Sequence, residues 1–411
     1  TGKGIFSVPV IGADGSILVG SADRFFYSLD FFGNVNWTAQ AGEIIDSAAA
    51  VAADGSIVFG AGDGLIRSLS PDGVEQWRFA AHHAEFDADA TEGTFCAPVG
   101  PIGGPSNWFE GNVVIGPGGN LYAGNDNYRF YGLTPDGAER YAFAPTLIPF
   151  GTVWSAATTR LDGSAVFGAL DFFLYSIDDQ GNCQWRTFMG ALVTSSPAQS
   201  DDGGTIYAGS WDFNFRAVDA ATGAVRWTFP SREHIYSSPA VAEDGTVYFG
   251  GVDGTLYALD GDTGALRWTY DVIDPIRSSP AIAGDGTIFF SAGNGVLYAI
   301  NPDGTRRWSY DATTQDRNDL NSSPALGLEY LYLGGEDGTI LAMPYEYCER
   351  VADPRCSLDP GSDLGAQGVD LYYVTPGGRS FLDIPDPVQR GAALTFRLAV
   401  RNAGRTEDAG L

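Results

Sequence analysis

The 411-residue chain predicts an all-β fold: an eight-bladed β-propeller of four-stranded antiparallel blades, followed by part of a β-sandwich. Three observations carry this. A phrase of about forty residues recurs eight times, and its clearest copy runs from Ser237 to Asp260 and closes on Trp268. Each copy breaks into four short apolar runs separated by glycine-bearing turns, the grammar of an all-β meander. A four-stranded sheet cannot bury both faces by itself, whereas a ring of such sheets covers every face. A linear β-solenoid is the other architecture with long repeats, but tight Asp-Gly hairpins between strands argue for the propeller.

Within each copy, a Ser/Ala-rich start, often with proline, opens a short first strand. A turn follows, as at Asp14-Gly15, Asp54-Gly55, Asp244-Gly245 and Asp285-Gly286. Asp-Gly suits a two-residue hairpin, because glycine accepts positive φ without a Cβ clash. The second strand is β-branched and aromatic and mostly ends in Gly; the third ends in Leu, Ile or Val. The fourth bears Trp37, Trp77, Tyr141, Trp185, Trp227, Trp268 or Trp308, and the last four of these stand 42, 41 and 40 residues apart. The eighth copy, from Ser322 to Met343, has no closing tryptophan. Its outer strand is expected either from Tyr345–Val351 or from residues before Thr1.

The domain reading is 1–345 propeller, 346–366 linker, and 367–411 the beginning of an immunoglobulin-like domain. In that last stretch 368–375 and 392–404 alternate like sandwich strands, and about 45 residues are too few for a whole sandwich. The turn at Arg401-Asn402-Ala403-Gly404 resembles that of bacterial cell-adhesion-related domains.

Composition excludes some functions. A net charge of −28 argues against nucleic acid or anionic lipid as partner. No apolar run approaches the roughly 20 residues of a membrane-spanning helix. Lys3 is the only lysine; the acidic surface fits either a GC-rich genome with a solubilising charge or a salt-adapted, calcium-bathed extracellular surface. Cys348 and Cys356 flank a short Pro-containing stretch and are expected to form a disulfide in an oxidising, extracytoplasmic compartment. Cys96 and Cys183 lie in different repeats and are expected to stay apart.

The phrases ending in Thr222-Gly223-Ala224-Val225-Arg226-Trp227 and Thr263-Gly264-Ala265-Leu266-Arg267-Trp268 resemble the tryptophan-docking repeat of pyrroloquinoline quinone-type propellers. That family includes quinoprotein alcohol dehydrogenases and the non-catalytic propeller lipoprotein of outer-membrane protein assembly. The resemblance spans about residues 1–345 and implies the propeller fold. The quinone-binding branch implies a catalytic Asp, a calcium site, long insertions and often an adjacent cysteine pair; this chain has no Cys-Cys and no such insertions. Pyrroloquinoline quinone is therefore not expected.

Function is expected where repetition fails. The insertion after Trp77 carries His82, His83, Glu85, Asp87 and Asp89. Alternation in an extended segment puts Asp87 and Asp89 on one side, as oxygen ligands for Ca²⁺ require, although a solvated acidic loop has the same composition. In a propeller, the connections between blades and the second hairpin of each blade share one face. There they would carry Trp211, Asp212, Arg232, Glu233, His234, Asp271, Asp274, Arg277, Asp316, Arg317 and Asp319, a mixture typical of protein-binding loops. The repeated Ser-Ser-Pro starts read as strand-start geometry rather than nucleophiles. The leading expectation is a non-enzymatic interaction module of a larger surface, secreted or periplasmic protein, with protein partners or self-association. The alternatives are a quinone- or metal-dependent oxidoreductase and a carbohydrate- or small-ligand-binding propeller.

Overall fold

Apolar runs too short to fold alone become stable strands here because each is covered by a neighbouring blade. The computed structural model describes residues 1–82, 106–145, 151–272, 274–312 and 322–358, together with the backbone of Val369–Thr375, Gly378–Phe381 and Phe396–Val400. Eight antiparallel sheets follow one another along the chain. Blade 6 shows the pattern: Ala240–Val241, Thr246–Gly250, Thr255–Asp260 and Leu266–Asp271, paired in sequence order. The two-residue first strands of neighbouring blades lie side by side and line the axis. The second strands are buried on both faces, as in Thr246–Gly250. The fourth strands alternate exposed and half-buried residues, as in Val225–Pro230, because they form the rim. That gradient explains the apolar runs of the second strands and the polar alternation of the fourth.

Blades are joined by repeated contacts. Phenylalanines stack between neighbours, Phe26 on Phe59 at 4.4 Å, Phe130 on Phe167 at 3.9 Å and Phe215 on Phe249 at 4.1 Å. Each rim tryptophan docks on the next blade: the indole N–H of Trp227 donates to the Gly261 carbonyl (2.9 Å), and that of Trp268 to Pro302 (2.9 Å). The paired serines have two separate tasks. The first caps its own blade, as when the Gly250 amide donates to Ser237 Oγ (3.1 Å). The second latches blades laterally: the amides of Ser196, Ser238 and Ser279 donate to Ser238 Oγ, Ser279 Oγ and Ser323 Oγ at 2.8–3.0 Å. Strand-start geometry thus accounts for the Ser-Ser-Pro recurrence.

The ring closes between its two ends. Ile5 donates its amide to Gly335 (3.0 Å) and Ser322 Oγ donates to the Ser7 carbonyl (3.1 Å). Blade 8 has three strands among the described residues: Ala325–Leu326, Tyr330–Gly334 and Ile340–Pro344. Within Tyr345–Val351, considered above as its outer strand, Tyr347–Arg350 is instead one helical turn. Cys356–Leu358 adds a fifth strand to blade 7, and the expected Cys348–Cys356 disulfide joins the two pieces. Cys183 is disulfide-bonded as well, against the expectation that it stands apart; its other half lies outside the described residues.

The Asp-Gly first hairpins differ from the two-residue form, which Leu328-Glu329 of blade 8 keeps. Gly12 and Ser16 close a three-residue loop (Gly12 N–H to Ser16 carbonyl, 2.8 Å), and Gly15 alone takes positive φ, +83°. Asp14 stays in the ordinary region and accepts the Ser16 amide at 2.9 Å. Asp-Gly serves both loop types, since each needs a left-handed glycine. Beyond the propeller, Val369–Thr375 pairs antiparallel with both Gly378–Phe381 and Phe396–Val400.

Candidate functional site: the axial loop face

The segment that leads into each blade has the form x-apolar-x-Ser, except that Gly111 replaces the serine in the segment into blade 3. Its apolar residue is buried: Ile45, Phe109, Val153, Val193, Ile235 and Ile276 are each at most 1 % exposed. The peg fits only because the preceding blade ends its second strand in glycine. A Cβ at Gly250 would overlap Ile276 Cγ2, and one at Gly60 would stand 2.5 Å from Phe109 Cβ. With the peg fixed, the residue just before each serine, or before Gly111 in blade 3, is held at the mouth of the ring. In chain order the described positions are Phe6, Asp46, Glu110, Trp154, Thr194, Tyr236 and Arg277.

Charge is unevenly spread around this mouth. Burial pushes the Asp46 carboxyl up to about 6, and its Oδ1 is buried without a hydrogen-bond partner. Glu110 is pushed up to about 7, first by burial and then by the negative charges of Asp126 and Asp46. Asp126, 7 % exposed, is also raised by burial, against hydrogen bonds from the Trp154 indole (2.8 Å) and the Ser106 hydroxyl (3.2 Å). The Tyr236 hydroxyl is raised by burial and by Glu110, with Arg277 opposing. Groups from blades 2, 3, 6 and 7 therefore feel one another across the axis. No salt bridge of the described residues neutralises Asp46 or Glu110.

Beside the mouth lies an aromatic cluster. Trp211 stacks on His234 (centroids 5.0 Å), Phe213 stacks on the same imidazole (5.8 Å), and Tyr236 lies 6.4 Å from Trp211. The Trp211 indole donates to Thr194 Oγ1 at 3.0 Å. The second hairpins add a further feature. At the position where Gly64, Gly254, Gly295 and Gly338 take positive φ, blades 1, 3, 4 and 5 place Arg24, Tyr128, Phe172 and Phe213 with φ of 65–78°. A left-handed non-glycine residue costs about 1–3 kcal/mol. The fold accepts that strain at four hairpins on one face.

The expected loop-face residues separate into groups. Trp211 and His234 come together as described. Asp212 is consumed by an ion pair with Arg216 (2.5 Å), and Arg232 pairs with Asp271 (3.6 Å). Asp274 lies half-buried and Arg277 exposed on the connection into blade 7. Asp316, Arg317 and Asp319 lie outside the described residues, as do Glu85, Asp87, Asp89 and His83. His82 meets Glu139 of blade 3 at 2.6 Å. Among the described residues no group of three or more His, Cys, Asp or Glu side chains is placed to hold a metal ion. Sequence reading missed Asp46, Glu110, Asp126 and Tyr236. For Asp46, Glu110 and Tyr236 the signal is a variable column between an apolar residue and a serine or glycine, whereas Asp126 lies on the second hairpin of blade 3, outside that column.

No curated protein matches the sequence. Among solved structures, the computationally designed protein Ika8 superposes with a TM-score of 0.67 at 14 % identity, covering 84 % of this chain and 97 % of the other. BamB from Moraxella catarrhalis superposes with a TM-score of 0.64 at 17 % identity, covering 83 % of this chain and 97 % of that one. Identities this low attest the fold. The family model described as outer membrane protein assembly factor BamB matches residues 62–228, 170–245 and 213–346, so that its repeats run over more than half of the chain. With its eight blades, docked rim tryptophans and repeated latches, the chain belongs to the BamB family of PQQ-like propellers.

Proposed function

We propose that this propeller is a non-enzymatic protein-interaction scaffold working outside the cytoplasm, and that the axial loop face is its binding surface. The observation that carries the reading is the strained display on that face. Four blades give up glycine to present Arg24, Tyr128, Phe172 and Phe213 beside the uncompensated Asp46 and Glu110. Strain kept on one surface is better explained by what the surface contacts than by stability. Exposed aromatics support it: Phe6 is 45 % exposed and Phe213 43 %. Aromatic anchors with arginine are the side chains that carry most binding energy at protein interfaces. The Cys348–Cys356 disulfide supports an oxidising compartment, and no helix of the described residues is long and apolar enough to cross a membrane.

The test is site-specific photocrosslinking in the native host. A crosslinking residue in place of Phe213 or Tyr236 is expected to trap discrete protein partners. The same residue in place of Asp54, exposed on a first hairpin at the opposite face, is expected to trap none. Equal trapping from both faces, or a quinone chromophore with stoichiometric calcium in the purified protein, would overturn the reading.

A further inference from the structure

We infer that the rim of blade 1 is a self-association edge: Val35–Gln40 of one copy pairs antiparallel with Val35–Gln40 of a second copy, joining two propellers about a twofold axis. This surface lies on the circumference of the ring, apart from the axial loop face.

The backbone supplies the open edge. Val35–Gln40 pairs only with Phe25–Leu29 among the described residues. Just beyond it, the Ala41 amide donates inward to the Arg24 carbonyl at 2.9 Å. Alternation then turns the backbone groups of Trp37 and Ala39 inward and those of Thr38 and Gln40 outward. The side chains of Thr38 and Gln40 are exposed as well.

Blade 7 shows that this edge geometry takes another strand. There Cys356–Leu358 lies antiparallel on the rim strand, with Ser357 opposite Ser309. The Asp311 amide donates outward to the Arg355 carbonyl at 2.9 Å. Ser309 and Asp311 stand one and three residues after Trp308, as Thr38 and Gln40 stand after Trp37. The positions that hold the added strand in blade 7 are the open ones in blade 1.

Composition selects blade 1. Every other described rim strand holds an arginine: Arg78, Arg140, Arg186, Arg226, Arg267 and Arg306. Charge on an edge strand is a common guard against pairing. Val35–Gln40 has no charged side chain and no proline, and Val35 is 55 % exposed. Neutrality also selects the occupant. An unlike partner could answer an arginine with a carboxylate, whereas a twofold pairing brings each charge of a rim to the seam twice. Blade 6 could set Arg267 against Asp271, but Asp260 and Arg232 already hold these within the chain. With Thr38 of blade 1 on the axis, Thr38 faces Thr38 and Asn36 faces Gln40. Uncharged cross-strand pairs of this kind are favourable, and like charges directly opposite are not.

Sedimentation velocity of the full chain tests the pairing. Six residues a side make a small interface, so a monomer–dimer equilibrium is expected at concentrations up to about 100 µM. Added salt should favour the dimer, because it screens the net charge of −28 on each copy. Thr38→Arg gives blade 1 the residue that blades 2 and 4 carry at that position, Arg78 and Arg186. It is expected to leave Tm unchanged and to weaken dimerisation about tenfold or more. The same change at Thr228, the blade 5 counterpart, should leave dimerisation as it was. A chain that stays monomeric, or a dimer that survives Thr38→Arg, overturns the inference. Equal loss with Thr228→Arg overturns it too, as does association that weakens with salt, since charge pairs elsewhere would then hold the copies together.

Discussion

Glu110→Gln is expected to stabilise the propeller at pH 8 and to leave its stability nearly unchanged at pH 4.5. In the folded protein the carboxyl is raised from an ordinary 4.5 to about 7, by burial and by the nearby Asp126 and Asp46. The sign follows from linkage: the folded state binds this proton more tightly than the unfolded chain does. The protonated side chain is accommodated without cost below 4.5. Stability is then lost as pH rises from 4.5 to about 7, and the loss is complete above it. A displacement of that size corresponds to about 3 kcal/mol. Because the carboxyl is only half-buried, solvent screening reduces this to about 1–2 kcal/mol. Glutamine has nearly the same shape and no charge, so the variant should gain that amount at pH 8. Urea denaturation at the two pH values measures it, and a carbon NMR titration of Glu110 Cδ locates the midpoint. An ordinary carboxylate midpoint, or an equal gain at both pH values, would refute the account. A gain confined to high pH would show that the ring mouth keeps an ionised carboxylate at the expense of stability, as a surface awaiting a cationic partner group does.

Gly250→Ala is expected to destabilise by about 1–3 kcal/mol, since the new methyl overlaps the Ile276 peg. Gly284→Ala, where no atom lies within 4 Å, should be neutral or slightly stabilising. Combining Gly250→Ala with Ile276→Ala should cost less than the sum of the two, and strict additivity in denaturation curves would count against the peg. Phe213→Gly should stabilise by about 1 kcal/mol by relieving positive φ, while weakening partner crosslinking from the same face. Ser238→Ala removes the acceptor of the Ser196 amide and should cost about 1–3 kcal/mol in thermal unfolding; an unchanged Tm would deny the latch a structural role.

Blade architecture was legible because its determinants are local. Trp227, Gly223 and the turn before them lie within one repeat, and repetition displays the pattern several times over. The hairpin type was not legible, because the Asp14-Gly15 pair is compatible both with a two-residue loop and with the three-residue loop observed, each of which needs a left-handed glycine. The candidate site was only partly readable. Trp211 and His234 could be assigned to one face from strand direction alone. Asp46, Glu110 and Tyr236 could not be joined, since their proximity arises only when the ring brings blades 2, 3 and 6 around an axis. Asp212 and Arg232 were placed among the binding-face residues, because a sequence does not reveal that Arg216 and Asp271 pair with them. Cys183 was set apart because it lies in a different repeat from Cys96, yet it is disulfide-bonded.

The joint where Ser322 meets Ser7 has a consequence for the order of assembly. The lateral latch between Ser196 and Ser238 spans 42 residues of chain, whereas Ser322 and Ser7 are 315 apart. For unfolded chain, closing the longer span costs about 2 kcal/mol more. During synthesis each blade can dock on its predecessor as it emerges, but the first blade must wait for the last. The protein therefore passes through a long open arc whose two raw flanks, one at each end, are exposed together until the final contact forms. Those flanks would be the natural handhold for a chaperone, and the place where two unfinished copies would join by mistake.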